Sequence, residues 1–462
     1  MQVNTFSFFK YILFYFLSMT SLIFTSEFQE DLIVDLETDS PLVPIYLAPL
    51  MNEQSFFTQA YLDGLEQILV FDLSHNGSSY LAIQKPDNNL LATRTGHEQF
   101  DSLKEWQAQN IFFVIKGWVK DKSISLMMLD TETRSVKKID SIPLTGNLNE
   151  DRRQVHRLAD FIHKALFGEN GIASTKILYS VRTKQGQDSQ KWISEIWEAD
   201  YDGANTRQIT HEGSYCISPV YIPPKAGYAP GGLMYVSYQL GQPKIYIASL
   251  KDGKGHRLTI LKGNQLMPAV SVQRDKVAFI SDVTGNPDLF LQPFNPEKGA
   301  EGKPQQIFSA KQATQGSPTF SPDGKKIAFV SNKDGSPKIY IIDIPEAGSV
   351  LKNIQATLIS KRNRENSAPA WSPDGKKIAY CSRHGGDRQI WIYDFEINQE
   401  RQISQGPGNK ENPSWAPNSF HLIYNSSEAN ISELYLINLN QKHGTKITSG
   451  REEKRFPSWE PR

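Results

Sequence analysis

The sequence predicts a multidomain chain, in which a small N-terminal α/β domain precedes a six-bladed β-propeller closed by the C-terminal strand. Three observations predict it. Residues 40–168 alternate helical and strand patterns, residues 175–462 carry a proline-anchored repeat, and that repeat begins and ends out of phase. At about 100–200 residues per domain, 462 residues make two or three domains. The 39% hydrophobic and 11% aromatic content supports sizeable cores and excludes a disordered chain. Fifty Lys and Arg balance fifty Asp and Glu, which disfavours phosphate-backbone binding and hence a nucleic-acid role. Two cysteines, Cys216 and Cys381, exclude a disulfide scaffold and a Cys-rich zinc module. They fall in different repeats, so a bond between them is not expected.

The elements follow in order. Tyr11–Phe24 (YILFYFLSMTSLIF) follows Lys10 and precedes the small Thr25 and Ser26. It falls short of the ~20 residues a spanning helix needs, so residues 1–26 read as a secretory signal, with an uncleaved anchor as the alternative. No second apolar run of spanning length follows, and a location outside the cytoplasm is expected. Residues 27–39 hold Glu27, Glu30, Asp31, Asp35, Glu37 and Asp39 without Lys or Arg, which makes a solvated arm or an acidic recognition peptide.

In the α/β domain, Leu42–Leu47 and Ile68–Asp72 are apolar runs suited to buried strands, and Phe56–Leu65 between them has helical spacing. Asp101 can cap a helix running through Gln109, with Leu103 and Trp106 on one face. Ile111–Ile115 reads as a strand, and Lys116–Val119 and Ile124–Leu129 form a hairpin about Lys120-Asp121-Lys122. A helix over Asn149–Phe167 buries Val155, Leu158, Ala159, Ile162 and Leu166, while His156 and His163 lie off that face and are expected in solvent. Gly168 caps it, and residues 169–174 are the linker.

In the repeat, Pro219, Pro268, Pro318, Pro369, Pro413 and Pro457 recur at spacings of 49, 50, 51, 44 and 44 residues, the length of a four-stranded blade. Labelling strands A to D from the axis outward, A carries the proline. B includes VAFIS (Val277–Ser281) and IAYCS (Ile378–Ser382), and C centres on pairs such as Ile339-Tyr340 and Ile390-Trp391. D is expected at Gln208–Thr210, Arg257–Ile260, Gln306–Ser309, Thr357–Ser360, Gln402–Ser404 and Lys446–Ser449. The first unit begins at its B strand (Ile177) and the last ends at an A strand (Pro457–Trp459), so the C-terminal strand completes the first blade and removes an open edge. A–B turns such as Ser321-Pro322-Asp323-Gly324 and Ser372-Pro373-Asp374-Gly375 are scaffold turns. The D–A loops are irregular and polar, and they converge on one mouth of the channel, where a rigid scaffold presents binding loops.

The run Trp371–Tyr380 (WSPDGKKIAY), preceded by Ala368-Pro369-Ala370, resembles the PD40-type propeller repeat, which also occurs in prolyl-oligopeptidase-like peptidases and other enzymes. The order of a signal, an acidic arm (Glu30-Asp31-Leu32-Ile33-Val34-Asp35), a segment Pro41–Leu50 entering an α/β domain and a terminal propeller resembles the TolB family of the Tol–Pal envelope system. Departures are the Pro-rich insertion Tyr221–Gly232 and the turn Ala416-Pro417-Asn418-Ser419. The resemblance implies a non-catalytic periplasmic adaptor without cofactor or metal. It would link the lipoprotein Pal to TolA in outer-membrane integrity and constriction during division, with other outer-membrane or peptidoglycan-associated proteins as further partners. By distance from the anchor prolines, it implies Pal-facing residues Asn264, Met267 and Gly316, with Gln315, Arg364 and Glu365 beside them. It assigns Glu30, Asp31 and Asp35 of the arm to TolA docking.

The rival is a propeller-containing hydrolase or lyase. No G-x-S-x-G elbow is present, and the strand assignment separates His211, His256, His384, His421 and His443, so these five are not expected to converge on a metal.

Overall fold

The computed structural model describes residues 42–96, 99–184, 191–228, 230–345, 354–429 and 431–462. The signal stretch and the arm residues Glu30, Asp31 and Asp35 lie outside the described residues.

The N-terminal domain runs β1 (Val43–Leu47), β2 (Met51–Glu53), α1 (Gln59–Ser74), β3 (Ser79–Leu81), α2 (Pro86–Thr93), α3 (Leu103–Ala108), β4 (Phe113–Lys120), β5 (Ser123–Asp130), β6 (Val136–Pro143) and α4 (Leu148–Phe167). Its sheet has the order β3-β1-β4-β5-β6, parallel on the β3-β1-β4 side and antiparallel beyond. Strand alternation places Ile45, Leu47, Ile115, Leu126 and Met128 in one core with α1 and α4. Tyr46 and Val114 join Ala92, Trp106 and Ile111 in a second core on the other side.

The expected strand at Ile68–Asp72 is instead the second half of α1. Thr58 caps that helix by accepting from the Tyr61 amide, and Leu62, Leu65, Ile68, Leu69 and Leu73 bury one helical stripe. A five-residue apolar run fits either period, and here the helical spacing continued through it. The helix near Trp106 starts after Ser102 rather than Asp101. Residues 111–120 make one strand from Phe113 rather than two segments.

Six antiparallel propeller blades are present; five have four strands, and in the third both Gly299–Ala300 and Gln305–Phe308 pair with Asp288–Asn295, making five. Blade I consists of A Glu453–Trp459, B Lys176–Lys184, C Trp192–Asp200 and D Arg207–Gln208. Its A strand is the chain terminus, antiparallel to the B strand, with Arg455 opposite Ser180 and Trp459 opposite Ile177. The Trp459 indole donates to Thr175 Oγ1 at 2.8 Å, and Glu460 accepts from the Lys176 amide at 2.8 Å. The expected ring closure is present. D strands are shorter or earlier than expected: Gly255–Arg257, Gln399–Gln402 and Thr445–Lys446 stand for Arg257–Ile260, Gln402–Ser404 and Lys446–Ser449.

The A–B turns work as read. Ser321 and Ser372 accept from the Lys326 and Lys377 amides at 2.9 Å, and Gly324 and Gly375 take φ of 69° and 77°. In the variant turn, Ser419 takes that left-handed position at φ 56°, and Asn418 accepts from the amides of Phe420 and His421.

The N-terminal domain docks on the face formed by A–B and C–D turns, against blades I and VI. Asn205 of blade I donates to Asn149 O at 2.9 Å, and Tyr201 donates to Asp72 at 2.8 Å. Arg152 pairs with Asp202. In blade VI, His421 Nε2 donates to the His75 carbonyl at 2.8 Å while its Nδ1 accepts from Asn418 at 2.9 Å. That tautomer is neutral, and complete burial pushes the His421 pKa down to about 3 despite the hydrogen bond to His75. Gly77 is required here: its φ is +78°, and a Cβ would come within 2.4 Å of the Phe420 ring.

This docking overturns the solvent-facing reading of His156 and His163, which are 1% and 4% exposed. One flank of α4 packs on its own sheet, and the flank carrying these histidines turns toward the junction. A helical wheel cannot distinguish a solvent face from one covered by a second domain.

Candidate functional site: the D–A rim of the propeller

All six A strands share one irregularity. Proline has no N–H for the A–B ladder, and the register shifts at each anchor, between Ile217 and Val220 in blade II and between Leu266 and Ala269 in blade III, for example. The residue before each proline takes a left-handed backbone: Ser218 at φ 52°, Met267 at 54°, Ser317 at 43°, Ala368 at 48°, Asn412 at 55° and Phe456 at 54°. None is glycine, so each costs about 1–3 kcal/mol, held by the surrounding sheet.

The bulge changes what the rim presents. In a regular strand, exposed and buried residues alternate. Here the proline and the residue three before it are buried, and the two between are both accessible. The rim therefore carries six adjacent pairs: Ile217-Ser218, Leu266-Met267, Gly316-Ser317, Ser367-Ala368, Glu411-Asn412 and Arg455-Phe456.

In four blades the buried residue at minus three anchors its own loop. Gln265 donates to Leu261 O at 3.0 Å, Asn366 to Asn363 O at 2.9 Å, Lys410 to Gly406 O at 2.7 Å and Lys454 to Ser449 O at 3.0 Å. These bonds satisfy loop carbonyls that no strand reaches. Burial lowers the Lys410 pKa, opposed by the charges of Asp387 and Glu428.

The expected contact residues divide on this pattern. Met267 is 40% exposed, and its sulfur meets the Ser317 amide of the next blade at 3.1 Å. Gly316 lies beside it; a Cβ there would stand 3.7 Å from that sulfur. Met267 and Gly316 are thus brought together across the blade III–IV seam. Asn264 is half-buried, and its backbone and side-chain nitrogens both reach Asp282 at 2.6 Å. Gln315 is corrected: it is 5% exposed, donating to Asp288 at 3.2 Å and accepting from Ser331 at 2.9 Å, so it supports the rim from within. Arg364 and Glu365 are exposed one blade further, with Glu365 paired to Arg383 at 3.0 Å. The rim pairs in blades II, V, VI and I were missed, although the fixed offset from each anchor proline carried the signal.

The histidines considered for a metal do not gather. His211 and His384 are exposed in rim-side loops, His256 and His443 are exposed on the other side, and His421 is buried at the domain junction. Cys216 and Cys381 are both free and buried. Among the described residues, no helix is long and apolar enough to cross a membrane.

Residues 163–462 match the family model described as PD40, TolB beta propeller domain. A protein of Protochlamydia amoebophila named Protein TolB homolog is 62% identical over 403 residues, covering 87% of this chain and 86% of that protein. This chain belongs to the TolB family. A second relative so named, from Chlamydia trachomatis serovar L2, is 38% identical over 383 residues, 83% of this chain and 80% of its own. The crystal structure of TolB from Acinetobacter baumannii superposes with a TM-score of 0.72 at 23% identity, covering 91% of this chain and 97% of that one, and shares the fold. Membership in the TolB family makes the chain a Tol–Pal component.

Proposed function

We propose that this chain is a non-catalytic periplasmic adaptor whose D–A rim binds the lipoprotein Pal and whose acidic arm engages TolA. In this role it links the two in envelope integrity and constriction during division. The observation that supports the rim as the binding face is its construction. Six bulges hold twelve adjacent residues accessible at one mouth, while the N-terminal domain docks on the opposite face. Met267 supplies an adaptable apolar contact at the centre of the III–IV seam, with Gly316 leaving room beside it. Arg364 and Glu365 supply charge at the edge. Asn264 acts through its loop, since Asp282 already holds its amide. Glu30, Asp31 and Asp35 supply the arm's electrostatic contribution.

The test is capture of Pal and of TolA by the mature chain, alone and with each element changed. Met267→Ala should weaken Pal capture about tenfold or more, as expected of a central apolar contact, and leave TolA capture unchanged. Removing residues 27–39 should weaken TolA capture. Capture of both partners unaffected by either change would overturn the reading.

A further inference from the structure

A second site lies at the domain junction, away from the rim. His156 of α4 places Nδ1 2.8 Å from Asp72 Oδ2 of α1, and the Tyr201 hydroxyl holds the other oxygen of Asp72 at 2.8 Å. The carboxylate accepts the hydrogen bond from Nδ1–H, which turns Nε2 toward blade I. Nε2 is buried and has no hydrogen-bond partner. In front of it stand Asp202 Oδ2 at 3.7 Å, from the C–D turn of blade I, and Asp200 Oδ2 at 4.0 Å, from the end of its C strand. Arg152 offsets part of the charge on Asp202, yet Nε2 has no hydrogen-bond partner, and a positive charge between the ring and the two carboxylates would join them.

Two occupants can supply that charge. A proton on Nε2 is one, but both separations exceed the reach of a good N–H···O bond. A metal ion is the other. Zinc bonds to nitrogen and oxygen at about 2.0–2.2 Å, so in tetrahedral coordination two of its ligands stand about 3.3–3.6 Å apart. The three candidate ligand atoms all lie within 4.8 Å of one another, so side-chain rotations that close the carboxylates by up to about 1.3 Å complete the site. The arrangement of Asp72 behind the ring is the one that orients and strengthens metal-binding imidazoles.

We propose that His156, Asp200 and Asp202 form a binding site for a divalent transition-metal ion of the zinc class, with water as the fourth ligand. The ion bridges α4 of the N-terminal domain to blade I and so fixes how the domains meet. Its competitors are built in. Arg152 donates to Asp202 Oδ2, with Nε at 3.2 Å, and Asn205 donates to Asp200 Oδ2 at 2.8 Å. Arg152 is 21% exposed and can swing away, while the Ala204 amide, 3.1 Å from Asp202 Oδ1, keeps the turn in place. Metal binding therefore exchanges a guanidinium for an ion at one carboxylate.

The experiment is calorimetric titration of the chelator-stripped mature chain with Zn²⁺, alongside its melting temperature and the visible spectrum of the Co²⁺ form. One equivalent should bind, raise the melting temperature and give the intense spectrum of tetrahedral nitrogen–oxygen coordination. His156→Gln should abolish this binding, and Asp72→Asn should weaken it about 10–100-fold. Arg152→Gln should tighten it. That change removes a partly exposed side chain, so it keeps the test alive if the buried variants fail to fold. No binding by either the wild type or Arg152→Gln would overturn the proposal. So would undiminished binding by folded His156→Gln, which would assign the ion to surface histidines.

Discussion

The two faces of the propeller are built on opposite principles. The face under the N-terminal domain uses single, unrepeated contacts among buried polar groups: His421 on the His75 carbonyl, Tyr201 and His156 on Asp72, and Gly77 against Phe420. The D–A rim repeats one device six times, a proline preceded by a left-handed residue, and varies only the side chains it displays. The closed face fixes one docking geometry through bonds that each lack a substitute. The rim supplies a constant backbone on which binding chemistry can vary at little cost to the fold.

Beneath both faces lies the ring, whose failure should have the largest effect. Deleting residues 453–462 removes the inner strand of blade I, the Trp459–Thr175 bond and the Arg182–Glu453 pair, and exposes the edge of Lys176–Lys184. The expected outcome is loss of a cooperative thermal transition, read by circular dichroism. An unchanged melting curve would contradict closure.

Next in size is the closed face. The unfolded His421 imidazole takes its proton near pH 6.5, while the folded one refuses it until about 3. The unfolded state therefore binds more protons throughout that window. The contribution to stability is complete above 6.5 and declines as pH falls toward 3, by up to about 1.4 kcal/mol per pH unit. His75 and His163 face the same ring, and burial lowers the His163 pKa as well, so it acts in the same direction. Denaturant unfolding at pH 7 and 4.5 should show a smaller acid loss in His421→Gln than in the wild type. Equal losses would refute the neutral-histidine contact.

On the rim the effects should be smaller and depend on side-chain type. Ala368→Val places a β-branched residue at φ 48° and should cost about 1–3 kcal/mol. Ala368→Gly should be neutral or slightly stabilising, since glycine accepts that backbone. If both changes proved equal in unfolding experiments, the left-handed bulge would not be a constraint there.

These regions also differ in how far the sequence disclosed them. The blades were legible because their signal is repetition: six prolines at near-constant spacing and a phase that leaves one A strand for the first blade. The rim was half legible. Met267 and Gly316 lie at the informative offsets, but Gln315, one residue further from the proline, is buried by the same bulge that exposes its neighbours. The junction was illegible, because His156 looks like a polar wheel position until a second domain covers it. Its partners Asp72, Asp200 and Asp202 come from two distant segments. The run Ile68–Asp72 failed for a local reason, being too short to reveal its period.

The most direct measurement of the contrast between the faces is hydrogen–deuterium exchange of the mature chain with and without saturating Pal. Protection should appear in the D–A loops and pre-proline residues around 261–267, 310–317 and 361–368, with no change in the junction turns 200–205 and 418–421. Protection confined to those junction turns, or none at the rim under demonstrated binding, would contradict the assignment of the rim as the partner-binding face.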